Sequence, residues 1–273
     1  MREAIDAARA GRHSASVTPS FARLFVSNVL VADDNPVSLR FFADALAQLG
    51  IACELAHDGL ETVARAEHTR FDVLLIDARM PGLDGPAALA RVRAGRGRSR
   101  DAIALATTAD ASASTRTDLL GAGFVDVVAK PVTVNALRAA LAPHLPGLVA
   151  SAAPASGASD DLLDDLAALS AVGGDVSILA ALRGLFIAEL DALPGELAAI
   201  GARADASALR DRLHRLDASA GFCGAPALVR ACATLRAAFD DAPAWPDAAI
   251  DEFLASSARV RARLLDAGAV PAR

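Results

Sequence analysis

From Val29 onward, short apolar runs alternate with amphipathic stretches. Val29-Leu30-Val31-Ala32, Ala52 to Ala56, Val73-Leu74-Leu75-Ile76, Ile103 to Thr107 and Phe124 to Ala129 read as strands. Their branched residues and short length fit strands buried on both faces. Helices are predicted between and after them: Pro36 to about Leu49, Asp58-Gly59 to about Thr69, Ala87 to Arg93, Ser112 to Leu120 and Val134 to Leu145. Pro36 suits a first helical turn, and Gly50 and Gly121 suit helix ends. Five βα units in succession predict an α/β fold, a doubly wound parallel sheet of five strands.

After Asp160 the pattern changes to one of helices alone. Leu179, Leu182, Phe186, Leu190, Leu193, Leu197 and Ile200 form one stripe, which Pro194 is expected to bend or split. Asp205 can cap a helix carrying Leu209, Leu213, Leu216 and Ala220. Pro226 opens another with Leu228, Ala231, Leu235 and Phe239, and a last one carries Ile250, Phe253, Val260 and Leu264. A short helix over Leu162 to Leu169 precedes them. Four amphipathic helices with short turns predict an all-α antiparallel four-helix bundle.

The segment between the halves, PGLVASAAPASGAS over 146–159, reads as a flexible linker. The expected organisation is a leader over 1–25, with a short helix possible at Glu3 to Ala10, an α/β domain over 26–145, that linker, and a bundle over 160–268.

Composition narrows the function. Of 273 residues, 53% are hydrophobic, enough for two real cores, and the formal net charge of -6 argues against a nucleic-acid binder. No apolar run is long enough to span a bilayer, and the N-terminus lacks a signal-peptide core, so a cytoplasmic protein without membrane insertion is expected. Cys53, Cys223 and Cys232 lack metal-ligand spacing. Among 27 basic residues, Lys130 is the single lysine, which points to a need for a compact ammonium at that position.

The strand ends carry the chemistry. Four apolar runs end in Asp33-Asp34, Asp77, Thr107-Thr108 and Lys130. A parallel sheet gathers such ends at one edge, where open α/β folds place their sites. Packed carboxylates raise one another's pKa unless a cation intervenes, and Mg2+ is the economical cation for a few carboxylates. Lysine and threonine beside them suit a phosphoryl group.

Asp33-Asp34, the run DARMPGLDG from Asp77 to Gly85, Thr108-Ala109 and Lys130-Pro131 resemble, in order and spacing, the receiver domain of two-component response regulators. The resemblance implies that Asp77 accepts a phosphoryl group. It implies Mg2+ held by Asp34, Asp77 and the backbone carbonyl of Arg79, with Asp33 acting through water. Lys130 and Thr108 would bind the phosphoryl oxygens; counting back from Lys130 through Gly123 selects Thr108 over Thr107. Val127 stands where the family often has an aromatic, so its aromatic switch is not expected. Arg79, at the mouth of the site, reads either as a guide for an anionic donor or as a solvated surface residue.

In the second half, His214-Arg215-Leu216-Asp217-Ala218-Ser219 through Gly224-Ala225 resembles the histidine phosphotransfer (HPt) motif H-x-L-K-G-S-x-x-x-x-G-A. The resemblance makes His214 a second phosphoacceptor, placed on the helix flank and accessible to a partner. Asp217 replaces the family lysine and Ala218 the glycine. A carboxylate one turn from His214 would repel a phosphoryl group, and by hydrogen-bonding the imidazole it would favour the charged form. Arg210, one turn earlier, could restore positive charge. Slow or conditional transfer is expected.

These features predict a phosphorelay protein without a kinase catalytic domain. Its expected partners are a sensor or hybrid histidine kinase and a further receiver. The alternative is a phospho-switched module whose bundle docks a partner without transfer. An aspartate-based phosphatase ranks last, because Arg79 stands where a second Asp is usual.

Overall fold

The computed structural model describes residues 27–110, 112–145, 147–148, 162–241 and 245–268. The predicted leader, with its candidate helix, and most of the predicted linker lie outside these residues. The first half contains β1 (Asn28–Ala32), α1 (Pro36–Gln48), β2 (Ala52–Ala56), α2 (Gly59–His68) and β3 (Val73–Asp77). It continues with α3 (Gly85–Ala94), β4 (Ile103–Thr108), α4 (Ala113–Gly121), β5 (Asp126–Ala129) and α5 (Val134–Leu141). All strand pairs are parallel, in the order β2-β1-β3-β4-β5. Asp77 pairs in register with Thr107, so the two strand ends meet at the same height.

Alternation along the strands divides the core. Leu30, Leu74, Ile76, Ala104 and Ala106 pack with Phe71, Leu89 and Phe124 on one face. Val29, Val31, Val73, Leu75 and Leu105 pack on the other, with α1 and α5.

The second half is α6 (Asp165–Ala171), α7 (Val176–Gly201), α8 (Ala206–Phe222), α9 (Pro226–Asp241) and α10 (Asp247–Gly268). The long helices form a closed ring, with α7 against α8 and α10, and α9 against α8 and α10. Two expectations shift. The short leading helix starts later, where Asp164 caps it by accepting the Ala167 N–H. Pro194 does not split its helix; α7 is one element of 26 residues whose stripe from Leu179 to Ile200 is buried throughout. Packing on both sides of the proline offsets its missing hydrogen bond.

The halves are not separate bodies. α1 packs against α7 and α8 as well as against the sheet, and one apolar core runs from Val31 and Leu75 through α1 into the bundle. Phe41 of α1 stacks on Phe222 of α8 with ring centroids 4.4 Å apart, and Phe42 meets Phe222 edge-on at 6.2 Å. All three rings are fully buried. Burial of aromatics on this scale dominates an interface's energetics.

Candidate phosphoryl site between sheet edge and bundle

Asp33 and Asp34 follow β1, Asp77 ends β3 and Lys130 follows β5, so parallel topology brings all four to one edge. Asp33 is fully buried. Its Oδ1 accepts the Asn35 N–H at 2.9 Å and its Oδ2 accepts from Lys130 Nζ at 2.7 Å. The ammonium also stands 2.9 Å from Asp77 Oδ2. Burial opposes the Lys130 charge, but Asp33 and Asp77 outweigh it and raise its pKa. At Asp77 burial wins: it pushes the carboxyl up to about 7, opposed by Lys130 and reinforced by Asp33 and Asp34. Asp34 is raised as well, by burial first and then by Asp33.

Ligand atoms of Asp33, Asp34 and Asp77 lie within 4.8 Å of one another. Asp34 Oδ1 and both oxygens of Asp77 are buried without a directional hydrogen bond. Buried carboxylate oxygens normally have partners. Three converging carboxylates, two of them with orphaned oxygens, fit a hard, oxygen-seeking divalent cation. The acceptor loop is closely packed: a Cβ on Gly85 would lie 2.3 Å from the Asp77 carbonyl oxygen, so only glycine fits there.

Thr107 and Thr108 are both buried. The Thr108 hydroxyl accepts the Asp110 N–H at 3.1 Å, whereas the Thr107 hydroxyl has no hydrogen-bond partner. Val127, at the position of the usual aromatic, is half-buried against the α3–α4 face.

His214 is not an open flank. α8 lies across the sheet edge, and His214 Nε2 stands 4.0 Å from Asp77 Oδ2, with its side chain only 14% exposed. Nε2 is buried and has no hydrogen-bond partner. Burial, followed by Lys130, Arg79, Arg236 and Arg215, holds the imidazole down at about 3. It is therefore neutral near pH 7, with a lone pair available for attack.

Asp217 does not make the expected hydrogen bond to the imidazole. Its carboxylate does not engage His214 but receives Arg236 of α9, Nη2 to Oδ2, at 2.7 Å. The competing cation on the neighbouring helix draws Asp217 away. Arg210 lies over the Phe239 ring, 4.9 Å from its centroid. A cavity of about 360 Å3 opens beside His214, and Arg79, Arg210 and Arg236 all line it. Ala218 is buried along the interface and lines a second cleft, of about 520 Å3, with Lys130 and Pro131. The added methyl is accommodated with the receiver in place. Tighter contact is made one turn on, where a Cβ on Gly221 would come within 2.8 Å of Pro131 Cβ.

Two residues at the junction were not singled out from the sequence. Asn35 caps α1, its Oδ1 accepting the Val37 and Ser38 N–H groups, while its Nδ2 donates to Arg215 O at 2.6 Å and Ser219 Oγ at 2.8 Å. Arg215 Nη1 reaches Asp34 Oδ2 at 3.2 Å. The signal available for Asn35 was its place between an acidic pair and Pro36. Arg215 carried none, because its partner lies 181 residues away.

Comparison with known proteins gives two adjacent matches. The response regulator receiver domain family matches residues 29–142 and the Hpt domain family matches residues 181–265. The sensor histidine kinase GacS of Pseudomonas protegens is 29% identical over 250 residues, covering 86% of this chain and 27% of that protein. The signal transduction histidine-protein kinase BarA of Shigella flexneri is 28% identical over 211 residues, covering 75% and 23%. The chain thus spans about a quarter of the length of these curated relatives. Among solved structures, the receiver domain of a sensor histidine kinase from Pseudomonas aeruginosa is similar, with magnesium in its active-site cleft. It is 35% identical and covers 43% of this chain and 96% of that one, at a TM-score of 0.41. The chain thus carries a response regulator receiver domain followed by an Hpt domain.

Proposed function

We propose that this chain is a phosphorelay protein that moves a phosphoryl group between Asp77 and His214 within one molecule. The observation that carries the reading is the 4.0 Å separation of Asp77 Oδ2 and His214 Nε2 across the docked domains. That gap exceeds a hydrogen bond and leaves room for one phosphorus atom between donor and acceptor. In-line transfer requires those three atoms on a line.

A phosphohistidine on a sensor or hybrid histidine kinase is the expected donor. An Asp77 oxygen attacks its phosphorus, the P–N bond breaks, and an acyl phosphate forms. His214 Nε2, neutral in its buried setting, then attacks the same phosphorus; the P–O bond breaks and the Asp77 carboxylate is restored. Lys130 stabilises charge on the phosphoryl oxygens and Thr108 hydrogen-bonds to them. Asp33, Asp34, Asp77 and the Arg79 carbonyl would hold Mg2+, which supplies positive charge to the phosphoryl oxygens. Phosphoryl oxygens on His214 would face the cavity that Arg79, Arg210 and Arg236 line. A receiver on another protein could then take the group onward.

Labelling tests this. The full chain, Asp77→Asn and His214→Gln are given Mg2+ and acetyl phosphate. Wild type should carry both hydroxylamine-sensitive phosphate and alkali-stable, acid-labile phosphate. Asp77→Asn should carry neither, and His214→Gln only the former. Label confined to Asp77 in the wild type would show that the bundle docks without transfer.

A further inference from the structure

Asp34 differs from the other two carboxylates in its counter-ion. Asp33 and Asp77 share Lys130, which comes from the receiver itself and is 2% exposed at its side chain. Asp34 is instead met by Arg215, from α8 of the bundle. Of the two cations that contact the acidic cluster among the described residues, one is therefore delivered by the other domain.

We infer that Arg215 is a metal-displaceable counter-ion, so that Mg2+ binding at the cluster and the seating of α8 upon it oppose each other. The inference rests on the metal reading of Asp33, Asp34 and Asp77. A guanidinium on Asp34 Oδ2 occupies one face of a carboxylate whose other oxygen, Oδ1, is buried and unpartnered. A divalent cation and a guanidinium sharing that carboxylate repel each other in a poorly hydrated setting. Lys130 is enclosed between two carboxylates, whereas the Arg215 side chain is 29% exposed and has a route into solvent. The metal therefore displaces Arg215.

The rest of the dock does not depend on that guanidinium. Asn35 bonds to the Arg215 backbone carbonyl and to Ser219 Oγ, and Phe41 still stacks on Phe222. Metal loading thus loosens the contact over Asp34 without dismantling the interface. By linkage, whatever factor docked Arg215 takes from Mg2+ affinity, Mg2+ takes from the docking equilibrium. Mg2+ then weakens the seating of α8 by that factor without abolishing it, which eases the entry of a donor histidine from a kinase and still leaves α8 able to return for transfer.

Isothermal titration of Mg2+ at pH 8, above the raised value of Asp77, tests the coupling without activity as the readout. Arg215→Gln in the full chain should bind Mg2+ about fivefold more tightly than wild type. Arg215→Lys should stay near wild type. So should Arg261→Gln, the same charge change at a residue paired with Asp191 in the bundle. Hydrogen exchange gives a second reading: Mg2+ should speed amide exchange around Arg215 to Ser219 in wild type but not in Arg215→Gln. Circular dichroism checks that α8 persists. Equal or weaker Mg2+ binding by Arg215→Gln overturns the inference and leaves the metal reading standing. So does equal tightening by the Gln and Lys variants, which would show that charge is not the cause. Mg2+ binding to none of the proteins would overturn both.

Discussion

Asp217, one helical turn from His214 on α8, receives Arg236 of α9 at 2.7 Å, and in the proposed relay this pair sets the charge that a phosphoryl group on His214 would meet. Alone, Asp217 would repel it. Paired, it leaves the Arg236 charge beside the cavity that His214 lines. Arg236→Gln should therefore lower the acid-labile label on His214 about fivefold, on the order of 1 kcal/mol for a partly exposed pair. Asp217→Asn combined with Arg236→Gln should recover most of the loss. Rapid-quench labelling of the four proteins in the cycle measures it. A double variant no better than Arg236→Gln alone would mean that Arg236 acts on the phosphoryl group and not through Asp217.

The receiver's acidic site was legible because a parallel sheet sends every strand's carboxyl end to one edge, so Asp33, Asp34, Asp77 and Lys130 could be placed together by order alone. His214 was legible through its motif. The environment of His214 was not, because it depends on packing between segments far apart in the chain. Asn35 bonds to a residue 180 positions away, and Arg236 reaches Asp217 from the next helix. One sign of docking did stand in the sequence. Phe41 and Phe42 are consecutive on a helix and so point about 100° apart. Val37 and Leu39 of the same helix point about 200° apart, and burying them together with Phe41 and Phe42 takes a wider cover than one sheet face supplies.

Asn35 serves both domains, and substitution can separate its roles. Serine keeps an oxygen able to cap α1 but removes the amide that bonds Arg215 O and Ser219 Oγ. Asn35→Ser should therefore leave unfolding of the receiver half nearly unchanged while protection of α8 amides against hydrogen exchange falls. Asn35→Ala should lose the cap as well, at about 1 kcal/mol of stability. If serine lowered receiver stability as much as alanine, the loss would come from the amide that both variants lack, and the cap would contribute nothing separable.

Acid should work against His214. Its imidazole is held at about 3, against an ordinary value of 6.5, by burial and by the charges of Lys130, Arg79, Arg236 and Arg215. A base whose pKa is depressed on folding disfavours its own protonation. The stability it permits is full above pH 6.5 and falls as pH drops from there toward 3. Asp77, raised to about 7, acts in the opposite sense and gains stability as pH falls below 7. The His214 contribution is isolated by comparing wild type with His214→Gln, both in EDTA and both retaining Asp77. Their difference in unfolding free energy should move against wild type by up to about 1.4 kcal/mol per pH unit below 6.5. A difference independent of pH between 7 and 4 would mean that His214 is solvated and that α8 does not rest on the site in solution.

Docking itself can be blocked without touching an acceptor. A Cβ on Gly221 would lie 2.8 Å from Pro131 Cβ and 3.1 Å from its Cγ, and the proline ring cannot swing aside as a long side chain could. Gly221→Val places a branched residue there and must push α8 off the loop that follows β5. Asp77, Lys130 and the acidic cluster lie wholly within the receiver, so labelling of Asp77 by acetyl phosphate should be at least as fast as in wild type. Transfer onward to His214 should fall at least tenfold, because the 4.0 Å approach depends on the seated helix. Adding a separate receiver carrying Asp77 should then restore label on His214 of the variant only if that receiver avoids the same clash. The chain's own receiver, expressed as a second copy, should therefore fail. Unimpaired transfer in Gly221→Val would show that the group reaches His214 by a route other than the docked pair.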